Sequence, residues 1–138
     1  MHARHIFHLS IPVANLQAAR DFYVGVLDAE VGRQNDDWLD ILLWGHQITL
    51  QHRPAEVLPA TRQGKRHFGV VLPWREWEIL AERVRTSGTA FLAEPKISDA
   101  GDSCRQAKFY LADPGNNVIE VKAYSNVQGT LHLDPAAG

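Results

Sequence analysis

Apolar and polar residues alternate from Ile6 to Val13, with Phe7, Leu9, Ile11 and Val13 on one face and His8, Ser10 and Pro12 on the other. A period of two predicts a strand, because successive side chains of an extended chain point to opposite sides. Pro12, which lacks an N–H, puts a strand end or a sheet edge there. The period then lengthens. Behind Asn15, a residue type suited to a helix N-cap, Leu16, Ala19, Phe22, Tyr23, Val26 and Leu27 recur at helical spacing. That predicts an amphipathic helix of about three turns. Next come Glu30-Val31-Gly32-Arg33, a loop at Asn35-Asp36-Asp37, and two strand-like runs, Trp38 to Trp44 and Gln47 to His52, joined by a short turn at Gly45-His46. The first half reads as strand, helix, three strands.

Arg53 to Lys65 has no periodicity and reads as a linker. The pattern then restarts. His67 to Leu72 is a strand, and Trp77, Leu80, Ala81 and Val84 mark one face of a helix that stops at Ser87-Gly88. Phe91 to Glu94 is a short strand, Pro95 to Ser103 a long loop, and Phe109 to Lys122 a closing hairpin turning at Pro114-Gly115-Asn116-Asn117. The second half is again strand, helix, three strands. Superposing His8 on His67 aligns the strand positions, so the repeat lies in the pattern more than in the letters.

The repeat changes the reading of three residues. His8 and His67 open equivalent strands on the face away from the apolar residues, and Glu120 lies opposite Ile119 and Val121 in the last strand. Singly, each reads as a solvated or ion-paired side chain. Together, with a helix packed on each apolar face, they present two imidazoles and a carboxylate to one concave surface. That donor set suits Zn²⁺, Ni²⁺, Mn²⁺ or Fe²⁺.

Composition narrows the picture. The 138 residues, 45% hydrophobic, fit one globular domain, and the formal net charge of −2 carries no basic block of the kind nucleic acid requires. The one cysteine, Cys104, excludes an internal disulfide and makes a reducing compartment the default. Without a signal-like or membrane-length apolar run, a cytoplasmic domain with no membrane partner is expected. Residues 1–126 form the expected domain, with modules at about 4–57 and 64–126 and a tail over 127–138. Trp38, Trp44 and Trp74 are candidates for an aromatic pocket or for core. Arg105 and Lys108 are candidates to meet an anionic group, Cys104 is a loop thiol beside Arg105, and His46 is a turn residue.

His8-Leu9-Ser10-Ile11-Pro12-Val13, Asn15-Leu16, Arg20-Asp21-Phe22-Tyr23, Val26-Leu27, the second-half His67, and Phe109-Tyr110-Leu111-Ala112-Asp113-Pro114 with Glu120 resemble the vicinal oxygen chelate superfamily over roughly residues 4 to 125. That superfamily includes glyoxalase I, bleomycin-binding proteins, fosfomycin-resistance transferases and extradiol dioxygenases. The resemblance implies an α+β fold of two βαβββ modules forming a half-open barrel around a metal-binding cleft. It also implies a divalent metal on His8, His67 and Glu120, a small-molecule substrate, and a homodimer. Where glyoxalase I has a fourth-ligand glutamate, this chain has Thr49, and Gln51 or water is the candidate to complete the site. Tyr110 matches the dioxygenase Tyr-x-x-Asp-Pro segment, so Glu120 and Tyr110 are the candidate catalytic residues. The histidine those enzymes carry before that segment is absent from Ala100 to Gln106.

Overall fold

The computed structural model describes residues 4–99 and 104–133. Its elements are β1 (His8–Val13), α1 (Leu16–Gly25), β2 (Glu30–Gln34), β3 (Trp38–Leu43), β4 (His46–His52), β5 (Phe68–Val71), α2 (Trp74–Thr86), β6 (Ala93–Asp99), β7 (Arg105–Ala112), β8 (Val118–Tyr124) and α3 (Val127–Thr130). Short 3-10 turns at Pro54–Glu56 and Ala60–Arg62 interrupt the stretch expected as a linker. The expected βαβββ pattern therefore occurs twice, in an α+β fold. Each repeat forms a four-stranded mixed sheet, ordered β1-β4-β3-β2 and β5-β8-β7-β6, with the first strand of each parallel to the fourth.

The chain divides into two compact units, Met1–Arg66 with Ala112–Val118, and His67–Leu111 with Ile119–Gly138. In the first, Asn15 caps α1 by accepting the Ala18 N–H at 2.8 Å, and Ala19, Phe22 and Tyr23 are buried along with Leu39, Ile41, Ile48 and Leu50. Asp28 takes φ 62° after the helix, a left-handed conformation Asp tolerates better than most side chains. In the second unit, Trp77, Ala81 and Val84 of α2 are buried, as are Phe109, Leu111, Ile119, Val121 and Ala123, and Trp77 Nε1 donates to the Val121 carbonyl at 3.0 Å. In both units the apolar face of the inner strands is buried, while Leu9 and Ile11 of β1 and Phe68 and Val70 of β5 are half-buried at the sheet edges.

Several expectations shift. The β3–β4 turn falls on Trp44-Gly45, both at positive φ (51° and 81°), a pair that suits a two-residue hairpin with right-handed strand twist. His46 is therefore the first residue of β4, and its Nδ1 accepts the Phe7 N–H at 3.0 Å. Phe7 precedes β1 and is 60% exposed instead of facing the core. The loop expected from Pro95 is strand β6, running Ala93–Asp99. Pro95 is tolerated there because β6 is an edge strand and its pairing with β7 is shifted between Ala93 and Lys96, where no donor is needed. The expected tail opens with the turn of α3, and residues 134–138 lie outside the described residues. Among the described residues no helix is long and apolar enough to cross a membrane.

Candidate functional site

The second unit gathers most of the expected chemistry. Alternation along β8 buries Ile119 and Val121 and turns Glu120 and Lys122 to the opposite face. The β5–β8 register pairs Gly69 with Glu120. A Cβ at Gly69 would collide with the Glu120 carbonyl, so only glycine lets β5 close onto the strand that carries the carboxylate. His67, just before β5, brings Nε2 to 3.0 Å from Glu120 Oε2, and Tyr110 on β7 donates its hydroxyl to the same oxygen at 2.8 Å. The His67 and Tyr110 rings meet edge to face at 5.9 Å. Lys122 Nζ lies 3.8 Å from the other oxygen, Oε1. The Glu120 side chain is 9% exposed and that of His67 41%, at a hollow of about 240 Å³ also lined by Phe68, Val70 and Val71.

The electrostatics follow from this packing. Burial, then the hydrogen bond and charge of Glu120, raise the Tyr110 pKa, so its phenol stays a proton donor at neutral pH. The Lys122 pKa is also raised, first by its hydrogen bond with Tyr124 and in smaller part by Glu120, so the ammonium persists beside the carboxylate.

The donor chemistry fits a metal at two positions. Ligand atoms about 2.0–2.1 Å from one ion and at right angles stand ~3 Å apart. His67 Nε2 and Glu120 Oε2 have that separation. Among the described residues, no three His, Cys, Asp or Glu side chains gather into one cage. His8 and Gln51 belong to the first unit. His8 is exposed at the start of β1, in register with Gln47, and Gln51 donates its amide to Ser10 Oγ at 3.2 Å, which leaves the amide oxygen as its donor atom.

Sequence reasoning missed the most buried acid of the first sheet. Asp40 on β3, 4% exposed, accepts from Thr49 Oγ1 at 2.6 Å, Arg33 Nε at 3.1 Å, Arg33 Nη2 at 3.0 Å and Gln47 Nε2 at 3.4 Å. Thr49 is the register partner of Ser10, as Glu120 is of Gly69, so a hydroxyl occupies the strand position that holds a carboxylate in the second unit. Its carboxylate partner sits instead on the neighbouring strand, β3. The signal that singled out Glu120 was present: Asp40 is an acid between Leu39 and Ile41 in an apolar run. Lys122 was also missed, because a lysine on a polar strand face carries no signal of its own.

The remaining candidates have local partners. Arg105 pairs with Asp99 at 3.8 Å and lies over the Trp74 ring at 5.5 Å, while Lys108 is the register partner of Lys96. Trp38 lies under the Arg33 guanidinium, and Trp44 is a turn residue. Cys104 Sγ meets Thr130 Oγ1 at 2.9 Å, a contact that lowers the thiol pKa. Residues 100–103, part of the stretch without the dioxygenase histidine, lie outside the described residues.

Comparison with known proteins agrees with this architecture. A crystal structure of a glyoxalase/bleomycin resistance protein/dioxygenase from Alicyclobacillus acidocaldarius is similar at TM-score 0.81 and 26% identity, over 90% of this chain and 94% of that one. The fosfomycin resistance protein FosX from Listeria monocytogenes is similar at TM-score 0.69 and 16% identity, over 88% and 94%. FosX from Mesorhizobium loti gives 0.67 and 17%, over 94% and 99%, and at such identities the likeness is one of fold. No curated protein matches the chain. The sequence model of one family matches residues 5–121, and the chain belongs to that family, the Glyoxalase/Bleomycin resistance protein/Dioxygenase superfamily.

Proposed function

We propose that this chain is a divalent-metal-dependent enzyme that binds two adjacent oxygens of a small organic substrate and performs lyase, isomerase or transferase chemistry on it. One observation carries the reading. An imidazole nitrogen just before β5 and a carboxylate oxygen on the neighbouring strand β8 stand 3.0 Å apart, with a phenol on the same oxygen. His67 and Glu120 would hold the metal, with His8 as a further ligand and Gln51 or solvent completing the set. The ion, Zn²⁺, Ni²⁺, Mn²⁺ or Fe²⁺, would act as a Lewis acid when bound. Tyr110 orients the carboxylate and holds a transferable proton at its oxygen, and Lys122 supplies a fixed positive charge at the same hollow. A homodimer is part of the proposal, and exposed Phe7 and Leu92 support it.

A metal-free reading, sequestration of a small molecule, is favoured by one contact: Lys122 at 3.8 Å already gives Glu120 a cation. Ring cleavage of the extradiol type has the ligand set in its favour and the missing histidine against it. Metal analysis of the purified chain, followed by calorimetric titration with each ion, separates the metal-dependent readings from the metal-free one. The enzyme reading expects stoichiometric metal that His67→Ala and Glu120→Gln both lose. Absence of binding in the wild type, or binding unchanged in both variants, would sink it. Because two similar structures are fosfomycin resistance proteins, fosfomycin is a reasonable first compound in a turnover screen.

A further inference from the structure

We infer that the substrate carries a doubly charged tetrahedral oxyanion, such as a phosphate monoester, which seats on a row of lysines beside Glu120. This names a substrate class for the metal-dependent reading and rests on that reading for its role in the reaction, whereas the anion site itself needs no metal. Three of the chain's four lysines, Lys96, Lys108 and Lys122, form the row.

Strand register builds it. Lys96 on β6 is the partner of Lys108 on β7. Bonds from the Ser125 N–H to the Arg105 carbonyl and from the Asp113 N–H to the Asn117 carbonyl fix the two ends of the β7–β8 hairpin. The register between those ends sets Lys108 opposite Lys122, as it sets Tyr110 opposite Glu120, and the Tyr110 hydroxyl bond to Glu120 agrees. Lys108 lies between buried Ala107 and Phe109, and Lys122 between buried Val121 and Ala123, so both leave the core on the Glu120 face. Adjacent strands are about 4.8 Å apart, which roots three ammonium groups within about 10 Å. Two residues of rise, about 7 Å, separate that row from Glu120.

Like charges set directly opposite one another repel, so the row is unfavourable in the free chain and an anion relieves it. Among the described residues, Lys122 is the only one of the three in an ion pair, with Glu120 at 3.8 Å. Three ammonium groups beside one carboxylate leave two positive charges, which a phosphate monoester dianion balances and a lone carboxylate does not. Lys122 also lines the hollow with His67 and Glu120, so the row opens onto the proposed metal position. The row beyond it holds Ser98 opposite Gln106, and Gln106 opposite Tyr124 by the hairpin register. Their hydroxyl and amide groups are further donors for an oxyanion.

The test titrates phenyl phosphate into the full chain after metal chelation, at fixed ionic strength, with benzoate and phenol as singly charged and neutral comparisons. Saturable binding is expected, with the largest amide NMR shifts at Lys96, Lys108 and Lys122. Losing a charge-assisted hydrogen bond corresponds to about tenfold or more in affinity. Benzoate should therefore bind more weakly by at least that factor, and phenol should not bind. Lys108→Gln should weaken phenyl phosphate to the same extent, and Lys108→Arg should restore most of the loss. Should Lys108→Gln fail to fold, Lys96→Gln at the sheet edge carries the same expectation. Zinc titration of these variants should match the wild type, because neither lysine is a proposed ligand. Phenyl phosphate bound no tighter than benzoate, or bound equally by a folded glutamine variant, would overturn the inference whether or not the chain takes up metal. Phenyl phosphate bound as expected by a chain that takes up no metal would support the anion site and sink the metal-dependent reading.

Discussion

Tyr23 donates its phenolic hydrogen bond to Asp113 at 2.6 Å, joining α1 to the closing turn across 90 residues of sequence. Asp113, itself buried, also accepts from the Gly115 and Asn117 backbone N–H groups at 2.8 and 2.9 Å and from the Asn117 amide at 2.9 Å. The Asp-Pro segment that marks the family in this chain thus acts here as an anchor for a turn. Tyr23→Phe keeps the ring and removes one charge-assisted bond, so urea unfolding should show a loss of about 1.5–3 kcal/mol. An unchanged midpoint would refute the anchor.

The same contact predicts an alkaline limit. Burial, then Asp113, raise the Tyr23 pKa well above the ordinary tyrosine value of about 10. The folded chain therefore keeps a proton that the unfolded chain releases once the pH passes about 10. This contribution is fully present below that pH and is lost at about 1.4 kcal/mol per pH unit as pH rises toward the folded pKa. Stability measured from pH 8 upward should fall less steeply in Tyr23→Phe than in the wild type. Parallel curves would contradict the assignment.

Gly69→Ala should damage the second sheet. Its Cβ meets the Glu120 backbone carbonyl, which moves only if β5 and β8 separate. Overpacking of this kind costs about 1–3 kcal/mol. The variant should also lose ordered His67 and Glu120 resonances, whereas the same change at Gly25, where nothing lies within 4 Å of the added Cβ, should do neither.

Asp40→Ala leaves the Thr49 hydroxyl without its acceptor and frees Arg33. A destabilisation of about 2–3 kcal/mol is expected from unfolding curves. Adding Thr49→Val removes the stranded hydroxyl, so the double variant should lose less than the sum of the single ones. Strict additivity would mean that the 2.6 Å bond contributes nothing.

Tyr110→Phe removes the phenol from Glu120 while leaving the proposed ligand side chains in place. Loss of such an outer partner typically lowers metal affinity by about 10–100-fold. Calorimetry on folded Tyr110→Phe should show that drop, together with a turnover loss if the phenol also transfers a proton. Wild-type affinity would remove Tyr110 from the site.

Much of this was legible in the chain, for a physical reason. Period-two and helical spacing record which face of each element meets the core, so both βαβββ repeats, and the placement of His8 and Glu120 opposite the apolar strand positions, follow from the pattern alone. Asn15 as a cap and β1 as an edge at Pro12 follow from single-residue stereochemistry. Edges were harder. Pro95 argued for a loop, and only the position of β6 at the sheet margin made a strand acceptable there.

What sequence by itself determined is the repeat, the buried faces and the residue types available for chemistry, because these depend on local geometry and on what water excludes. Tertiary structure decided the pairings. The β5–β8 register brings Glu120 within reach of His67, and the β3–β4 register puts Thr49 opposite Asp40. Such contacts depend on strand register and neighbour order, and a one-residue slip, invisible in the alternation of a single strand, would send each of these side chains to the opposite face.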